Sequence, residues 1–356
     1  MNDAGRKWFF QVESVLKNSG CIQSKLDKCL FFFHDKGQLA GVVLVWVDDF
    51  FHVGNELFES KVVKKIQTDF KVGRIEENSF IYTGLNIKKT EEGITIDQER
   101  YIEGLKTTPL KENTPKTRPL NKTETTLLKR LTGQVNWAAT QTRPDLSFHV
   151  VELSVKYGSP NLGDLTNANK AIVKLSMNSV KVLYPKLTGK VKMVTFSDAA
   201  FRNLPDLVSS GRGHIVFLSD DKDRSCPIAW NANKIKRVVG STIAAEALSL
   251  LKAIDHAFYL RAILTNMLQV DQFKIPIISF IDSKNLHDAV FSTTPVEDKK
   301  LRCDIAQIQE SIKKEKVDLR WIPGKDMLAN PLTKRGADIS QILTCIKNGQ
   351  LKGYNI

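Results

Sequence analysis

The stretch VKMVTFSDAA, residues 191–200, decides the fold of the second half of this 356-residue chain. Its apolar residues predict a β-strand over residues 191–196 that leads into Asp198. Because side chains alternate between the two faces of a strand, Val194, Phe196 and Asp198 lie on one side. The stretch therefore predicts a strand that delivers a carboxylate to one face of a sheet.

The elements after this strand predict a sheet flanked by helices. Residues 213–219 and 227–231 continue it as an antiparallel meander, and the polar DDKDRS between them forms a turn. Ser241 and Thr242 offer an N-cap for a long helix with one apolar stripe, and residues 275–281 form a buried strand. Helices, a further strand and a last helix complete an order that is typical of α+β or α/β domains.

Three carboxylates stand where this order can bring them together. Asp198 and Asp282 end two strands, and Glu246 lies at the edge of the apolar stripe, so it points toward whatever the long helix packs on. Two divalent ions need such oxygen ligands to activate water and to stabilise a departing 3′-oxygen. Each carboxylate also has an ordinary explanation, as a turn residue, a helix edge or a strand-end cap. Their order and spacing together favour a metal site.

A second candidate site lies in VVLVWVDDF, residues 42–50. Two β-rich runs, residues 29–34 and 39–47, precede Asp48 and Asp49, which occupy a tight turn between strands. Adjacent carboxylates repel each other unless a cation or a basic partner is near, so the pair can form half of a metal site. Aspartate is also common at ordinary hairpin tips, and the dipeptide alone does not separate the two interpretations.

The composition favours a globular protein with a polyanionic partner. Hydrophobic residues make up 42% of the chain, and Lys and Arg outnumber Asp and Glu by 52 to 39, a formal net charge of +13. Such a charge favours nucleic acid over a membrane surface. One basic segment either tracks phosphates or forms a solvated helix face; its lysines are Lys170, Lys174, Lys181, Lys186, Lys190 and Lys192.

The sequence predicts neither a membrane segment nor a cysteine-based metal site. No apolar run reaches the roughly 20 residues that span a bilayer, and the N-terminus lacks a signal-peptide layout, so we expect an intracellular protein of the cytoplasm or nucleus. The five cysteines are scattered and lack metal-ligand spacing. We expect His214, His256 and His287 to be isolated from one another.

Motifs of the first half resemble the reverse transcriptase of copia-type retrotransposon Pol polyproteins. The matching segments are Val47-Asp48-Asp49, residues 82–87 and residues 142–146. Trp46 departs from the family, which usually has tyrosine before the catalytic turn. The resemblance implies that Asp48 and Asp49 hold magnesium in a polymerase site. It also implies that this site is incomplete, because the family's remaining metal-binding aspartate and its fingers lie upstream of this chain, and another polypeptide would have to supply them.

The second half resembles the ribonuclease H domain of the same polyproteins. The matching segments are residues 196–199, 241–247, 281–283, 319–324 and 327–334. The resemblance implies a mixed five-stranded sheet flanked by helices, with Asp198, Glu246 and Asp282 as ligands of Mg²⁺ or Mn²⁺. It implies hydrolysis of RNA in RNA–DNA hybrids as the activity.

Asn330 departs from this family at a position that matters for activity. The family's last metal ligand is an aspartate, whereas an amide supplies one oxygen, no charge and no base. We therefore expect the second, more exposed ion to be weakened and Asn330 to be a degenerate ligand. Asp326, one turn earlier, could compensate only if a helix began before it.

Together these observations predict a truncated copia-type Pol fragment in three parts. Residues 1–105 are a partial reverse-transcriptase palm, residues 106–190 a linker and helical thumb or connection, and residues 191–356 a ribonuclease H-like domain. Residues 106–122 contain three prolines and four threonines, as expected for an exposed linker.

The predicted function is weakened hydrolysis of RNA in RNA–DNA hybrids, with a hybrid or a template–primer duplex as partner. One alternative is a non-catalytic, nucleic-acid-binding relic of a retroelement, so enzymatic activity is left open. Another is a transposase or integrase, which usually takes its last acidic residue from a late helix, whereas Glu246 follows the meander directly. The oligomeric state, including association with other Pol polypeptides, is also left open.

Overall fold

The computed structural model describes residues 3–110, 113–177 and 179–356. These residues form two compact units, each made of two segments of the chain. No helix within the described ranges is both long enough and apolar enough to cross a membrane. The three domain ranges given above stay a prediction.

The smaller unit contains residues 3–77 and 258–275 and is built on a four-stranded antiparallel sheet with the order β1-β2-β3-β4. Its elements are α1 (Ala4–Asn18), β1 (Cys21–Gln23), β2 (Leu30–Asp35), β3 (Gln38–Trp46), β4 (Asp49–Gly54), α2 (Glu56–Phe58), a π-helical turn (Glu59–Val63) and α3 (Lys64–Asp69). Gly41 and Gly54 pair across β3 and β4, and a Cβ on them would lie 2.1 and 2.2 Å from the ring of Phe58. Glycine at both positions lets this buried ring close over the sheet.

The larger unit, residues 78–257 and 276–356 within the described ranges, begins with a small antiparallel sheet and a helical layer. The sheet has the order β5-β6-β7-β8, with β5 (Ser79–Tyr82), β6 (Leu85–Lys89), β7 (Gly93–Asp97) and β8 (Val182–Pro185). The helices are α4 (Glu99–Glu103), α5 (Lys122–Gln141), α6 (Ser147–Val155) and α7 (Leu162–Met177). Their apolar faces bury a common core that includes Leu128, Leu131 and Leu165.

A five-stranded mixed sheet forms the rest of the larger unit. Its strands and the helices between and after them are β9 (Lys192–Ala200), β10 (Gly211–Ser219), β11 (Ser225–Lys234), α8 (Thr242–Leu268), β12 (Ile277–Ile281), α9 (Lys284–Phe291), α10 (Lys299–Glu315), β13 (Val317–Trp321) and α11 (Ser340–Asn348). Residues 258–268 of α8 belong to the smaller unit. The order is β11-β10-β9-β12-β13; the first three strands are antiparallel, and β12 runs parallel to both β9 and β13. This sheet confirms the predicted fold class.

Several strand bounds differ from the predicted ones by a few residues, and two differences affect the candidate site. β9 continues to Ala200, so Asp198 lies inside the strand rather than at its end, because β10 pairs with it along its full length. Residues 327–334, the last of the segments that resemble the ribonuclease H domain, contain a 3-10 turn (Asn330–Leu332) and not the last helix that the element order predicted. Pro331 lacks the N–H that a continuing helix would need, and the last helix is α11.

The core of this sheet explains why residues 327–333 cover Asp198. Val194 and Phe196, on the same side of β9 as Asp198, are fully buried. Met327, Leu328 and Leu332 belong to the same hydrophobic cluster. Burial of these side chains therefore brings the turn down onto the candidate metal ligand.

Candidate metal centre

Asp198 is fully buried in β9 and is held by two neighbours from the covering turn. Thr333 Oγ1 donates a hydrogen bond to its Oδ2, and Nζ of Lys334 lies 3.0 Å from its Oδ1. The opposite residue on β10 is Gly213, where a Cβ would lie 2.5 Å from Cβ of Leu332. Glycine at this position therefore lets the turn approach Asp198 closely.

Glu246 projects from the first turns of α8 into the same buried region and is 5% exposed. Its Oε2 accepts a hydrogen bond of 3.1 Å from the backbone N–H of Ala199. On the next turn, Ser249 Oγ donates to the backbone oxygens of Asp198 (2.8 Å) and Gly213 (3.2 Å). These bonds fasten α8 to β9 and β10 beside the candidate site.

Asp282 follows β12 directly and completes the group. Because β12 is parallel to β9, with Phe280 opposite Phe196, the chain leaves the sheet next to Asp198. Trp321 Nε1 donates a 3.0 Å hydrogen bond to the backbone oxygen of Asp282. One oxygen from each of Asp198, Glu246 and Asp282 lies within 4.8 Å of the others. Within the described ranges, this is the one group of three or more His, Cys, Asp or Glu side chains with that spacing.

Burial and mutual repulsion make these three carboxylates costly to ionise. Burial raises the pKa of Asp198, Glu246 and Asp282 above their ordinary values. For Glu246, the charges of Asp198 and Asp282 raise the pKa further, and the ammonium of Lys334 opposes them. A divalent cation would favour the ionised forms, so this oxygen donor set fits a metal ion.

Asn330 does not join the carboxylates. Its Oδ1 accepts a 2.6 Å hydrogen bond from Nζ of Lys334, and its Nδ2 donates one of 2.6 Å to the backbone oxygen of Gly324. Asp326 does not replace it. Asp326 ends a separate 3-10 turn (Gly324–Asp326). The helix that would have to begin before Asp326 is therefore absent at this point, and Asp326 lies outside the carboxylate group.

Sequence reasoning gave no role to Thr333 and Lys334, although both lie in the motif at residues 327–334. The contacts of both side chains with Asp198 span more than 130 positions of the chain. The sequence offered one signal for these contacts: a hydroxyl (Thr333) and a cation (Lys334) stand three and four residues after Asn330.

The predicted hairpin turn in the smaller unit consists of Val47 and Asp48, and Asp49 is the first residue of β4. Both aspartates are exposed, and Asp49 pairs with Trp46 across β3 and β4. Val47 has a positive φ of 53°, which is rare for a β-branched residue, and its backbone oxygen accepts a 3.0 Å hydrogen bond from Trp8 Nε1. Within the described ranges, no third candidate ligand groups with the two aspartates.

The expectation that the histidines are isolated is wrong for two of them. His214 Nε2 lies 2.9 Å from His256 Nδ1, because β10 and α8 pack against each other. Burial, together with the charges of His256, Arg212 and Lys252, lowers the pKa of His214 to about 3. A neutral ring pair of this kind is a packing feature of the interior and not part of the carboxylate group.

The strand order and the register define a ribonuclease H-like fold for the second half of the chain. No family model matches the sequence. The retrovirus-related Pol polyproteins from transposons RE1 and RE2 of Arabidopsis thaliana are each 24% identical over 94% of the chain. The chain is thus related to retrotransposon Pol polyproteins, which confirms the resemblance seen in its motifs. It spans 23% of the length of each relative.

A solved structure gives a weaker likeness. The foamy viral protease-reverse transcriptase in complex with RNA/DNA hybrid is 13% identical, with 88% of this chain and 37% of that chain covered at a TM-score of 0.49.

Proposed function

We propose that residues 191–356 form a ribonuclease H-like nuclease that cleaves the RNA strand of RNA–DNA hybrids. The observation that supports this proposal is the convergence of Asp198, Glu246 and Asp282, with oxygens within 4.8 Å of one another. These side chains would hold Mg²⁺ or Mn²⁺, since both ions prefer oxygen ligands. When bound, the metal would lower the pKa of a water molecule and stabilise the departing 3′-oxygen.

The contribution of the protein is to fix the carboxylates and to limit their contact with water. Thr333 orients Asp198, and the N–H of Ala199 orients Glu246. Asp282 is only partly buried, so it is the carboxylate most open to an approaching phosphodiester. Fixed ligands need no reorganisation when the substrate binds, which favours the reaction.

Hybrid cleavage with matched variants tests this proposal. A labelled RNA–DNA duplex is incubated with the protein in Mg²⁺ or Mn²⁺, and the RNA fragments are quantified. We expect Asp282→Asn to lower the rate by about 100-fold or more, because loss of one ligand charge weakens the metal. Asp288→Asn, on α9 and outside the group, removes a carboxylate of 62% side-chain exposure and serves as the control. Equal rates for Asp282→Asn and the parent would refute the proposal.

A second candidate function, nucleic-acid binding without cleavage, is favoured by the contacts of Asn330. Its Oδ1 accepts from Lys334 and its Nδ2 donates to Gly324, so a metal would have to share this oxygen with the ammonium of Lys334. Asn330→Asp separates the two candidates. A gain of cleavage supports a weakened nuclease, whereas binding with no cleavage in either variant and either metal supports the second candidate.

The proposal for the first half of the chain is more limited. Asp48 and Asp49 are proposed as the metal-binding turn of a reverse-transcriptase palm, on the strength of the Val47-Asp48-Asp49 motif. Two exposed carboxylates are too few for two metal ions, so we assign no polymerase activity to the described residues. The three domain ranges and a site of action in the cytoplasm or nucleus belong to the same proposal.

A further inference from the structure

A cavity of about 320 Å³ lies in the larger unit between α6, α7 and the chain that follows the covering turn. Four cationic side chains line it, and so do two acidic ones; they are Lys156, Lys170, Lys174, Arg335, Glu152 and Asp164. The cavity therefore carries an excess of positive charge, and the function proposed above does not use it.

Both acidic side chains are occupied by contacts within the protein. Glu152 is 8% exposed and accepts hydrogen bonds from Arg335, at 3.0 Å from Nε and 2.9 Å from Nη2. Asp164 is also 8% exposed, and its Oδ2 accepts a 2.9 Å hydrogen bond from the backbone N–H of Asn161. Neither carboxylate is directed at the remaining lysines, so the lysines face the cavity without neutralisation from these groups.

The three lysines receive little stabilisation from ion pairs with neighbouring side chains. Lys156 and Lys170 form no ion pair within the described ranges. Lys174 lies 3.8 Å from Oδ2 of Asp145, but that carboxylate already receives the buried guanidinium of Arg143 at 2.9 and 3.0 Å. Lys170 and Lys174 are four residues apart on α7, a spacing at which like charges destabilise a helix. An anion in the cavity would offset this repulsion.

The cavity is joined to the carboxylate group by two consecutive residues. Lys334 contacts Asp198, and Arg335 lines the cavity. Their Cα atoms are about 3.8 Å apart, as for any trans peptide. The same short segment therefore contacts both sites, and a polyanion long enough to follow it would meet both.

We propose that this cavity binds a backbone phosphate of a nucleic acid that also enters the carboxylate site, with Lys156, Lys170 and Lys174 as the contacting cations. The identity of that nucleic acid as an RNA–DNA hybrid rests on the proposed function. The binding of a phosphate by these lysines does not.

Salt-dependent binding tests this assignment without any cleavage. The affinity of the full chain for a fluorescent RNA–DNA hybrid is measured by anisotropy in EDTA between about 50 and 200 mM salt. Each phosphate contact contributes roughly 0.9 to the slope of log K against log salt. We expect Lys170→Ala/Lys174→Ala, which removes this one phosphate contact, to lower the slope by about 0.9, and Lys170→Arg/Lys174→Arg to keep the slope of the parent.

A matched control removes the same charge at the other end of the sheet. Lys222 lies in the β10–β11 turn next to the start of β9, and Lys352 follows Leu351, whose N–H donates to Asp223 in that turn. Lys222→Ala/Lys352→Ala should leave the slope within experimental error of the parent. An equal loss in both double variants would overturn the assignment, since it would reflect net charge alone.

One further measurement separates the remaining outcomes. Calorimetric titration with inorganic phosphate identifies a small-anion site: loss of that binding in Lys170→Ala/Lys174→Ala with an unchanged duplex slope would overturn the nucleic-acid assignment. The duplex titration is made in EDTA, so it does not depend on the metal that cleavage would require. The cavity is therefore tested even if the parent shows no cleavage and the proposed nuclease function fails.

Discussion

Nζ of Lys334 lies 3.0 Å from Oδ1 of Asp198 and 2.6 Å from Oδ1 of Asn330. One ammonium thus joins a buried carboxylate to the amide of Asn330, the residue that the sequence predicted to be a degenerate ligand. It provides a positive charge inside a group of carboxylates whose ionised forms are disfavoured by burial. Two properties of this group of charges can be measured directly: its affinity for a metal ion and the pH dependence of its stability.

The first concerns metal affinity. Replacement of Lys334 by Met removes a cation that repels a divalent ion and competes for Asp198. We expect Lys334→Met to bind Mn²⁺ about tenfold more tightly by calorimetry at alkaline pH, where proton competition is least. The same variant without metal should be less stable by about 1 to 2 kcal/mol, a value discounted because the Lys334 side chain is 42% exposed.

Lys325→Met is the control, since Lys325 belongs to the nearby turn Gly324–Asp326 and is exposed. Unchanged Mn²⁺ affinity in Lys334→Met would show that the ammonium does not compete with the metal.

The second concerns pH. Burial and the neighbouring carboxylates raise the pKa of Glu246 well above 4.5, so the native state keeps a proton that the unfolded chain loses. This contribution to metal-free stability is complete below pH 4.5 and is lost as the pH rises through the raised pKa. We therefore expect the parent to lose stability relative to Glu246→Gln as the pH rises above 4.5. The free energies of unfolding of both proteins are measured with urea in EDTA. A difference that stays constant would contradict the pKa shift of Glu246.

The pair His214 and His256 predicts the opposite trend at lower pH. Because the pKa of His214 is lowered to about 3, this ring binds a proton near pH 6.5 in the unfolded chain but stays neutral at that pH in the native state. The contribution of His214 to the free energy of unfolding is fully present above pH 6.5. It falls by up to about 1.4 kcal/mol per pH unit as the pH drops toward 3. His214→Gln should lose this dependence in urea unfolding, whereas His287→Gln on α9 should keep it. A parallel pH profile for His214→Gln and the parent would argue against a neutral, buried His214.

Gly213 tests the close approach of the covering turn. A Cβ there would lie 2.5 Å from Cβ of Leu332 and 3.0 Å from Cγ2 of Thr333, so Gly213→Ala should push the turn away and destabilise the protein by about 1 to 3 kcal/mol. At Gly240 an added Cβ would meet nothing within 4 Å, and Gly240→Ala should be close to neutral. The two variants are compared by their midpoints of urea unfolding. Equal midpoints would show that the covering turn moves away from an added methyl group with no loss of stability.

The periodicity of strands and helices predicted the arrangement of Asp198, Glu246 and Asp282, because the order of elements fixes which strand ends and helix faces meet. Residue patterns could not predict the contacts of Thr333 and Lys334 with Asp198. Those contacts depend on how Met327, Leu328 and Leu332 pack into the core. The bond between His214 and His256 was missed for the same reason, since it depends on the rotation of α8 against β10.

The ion pair of Arg335 with Glu152 ties the chain beside the carboxylates to α6, and Trp230 Nε1 on β11 donates a 2.6 Å hydrogen bond to the backbone oxygen of Ala139 on α5. A fragment cut at residue 191 would lose both contacts and leave a guanidinium and an indole without these partners. The helical layer therefore supports the sheet, and we expect residues 191–356 alone to be less stable than the same residues in the full chain.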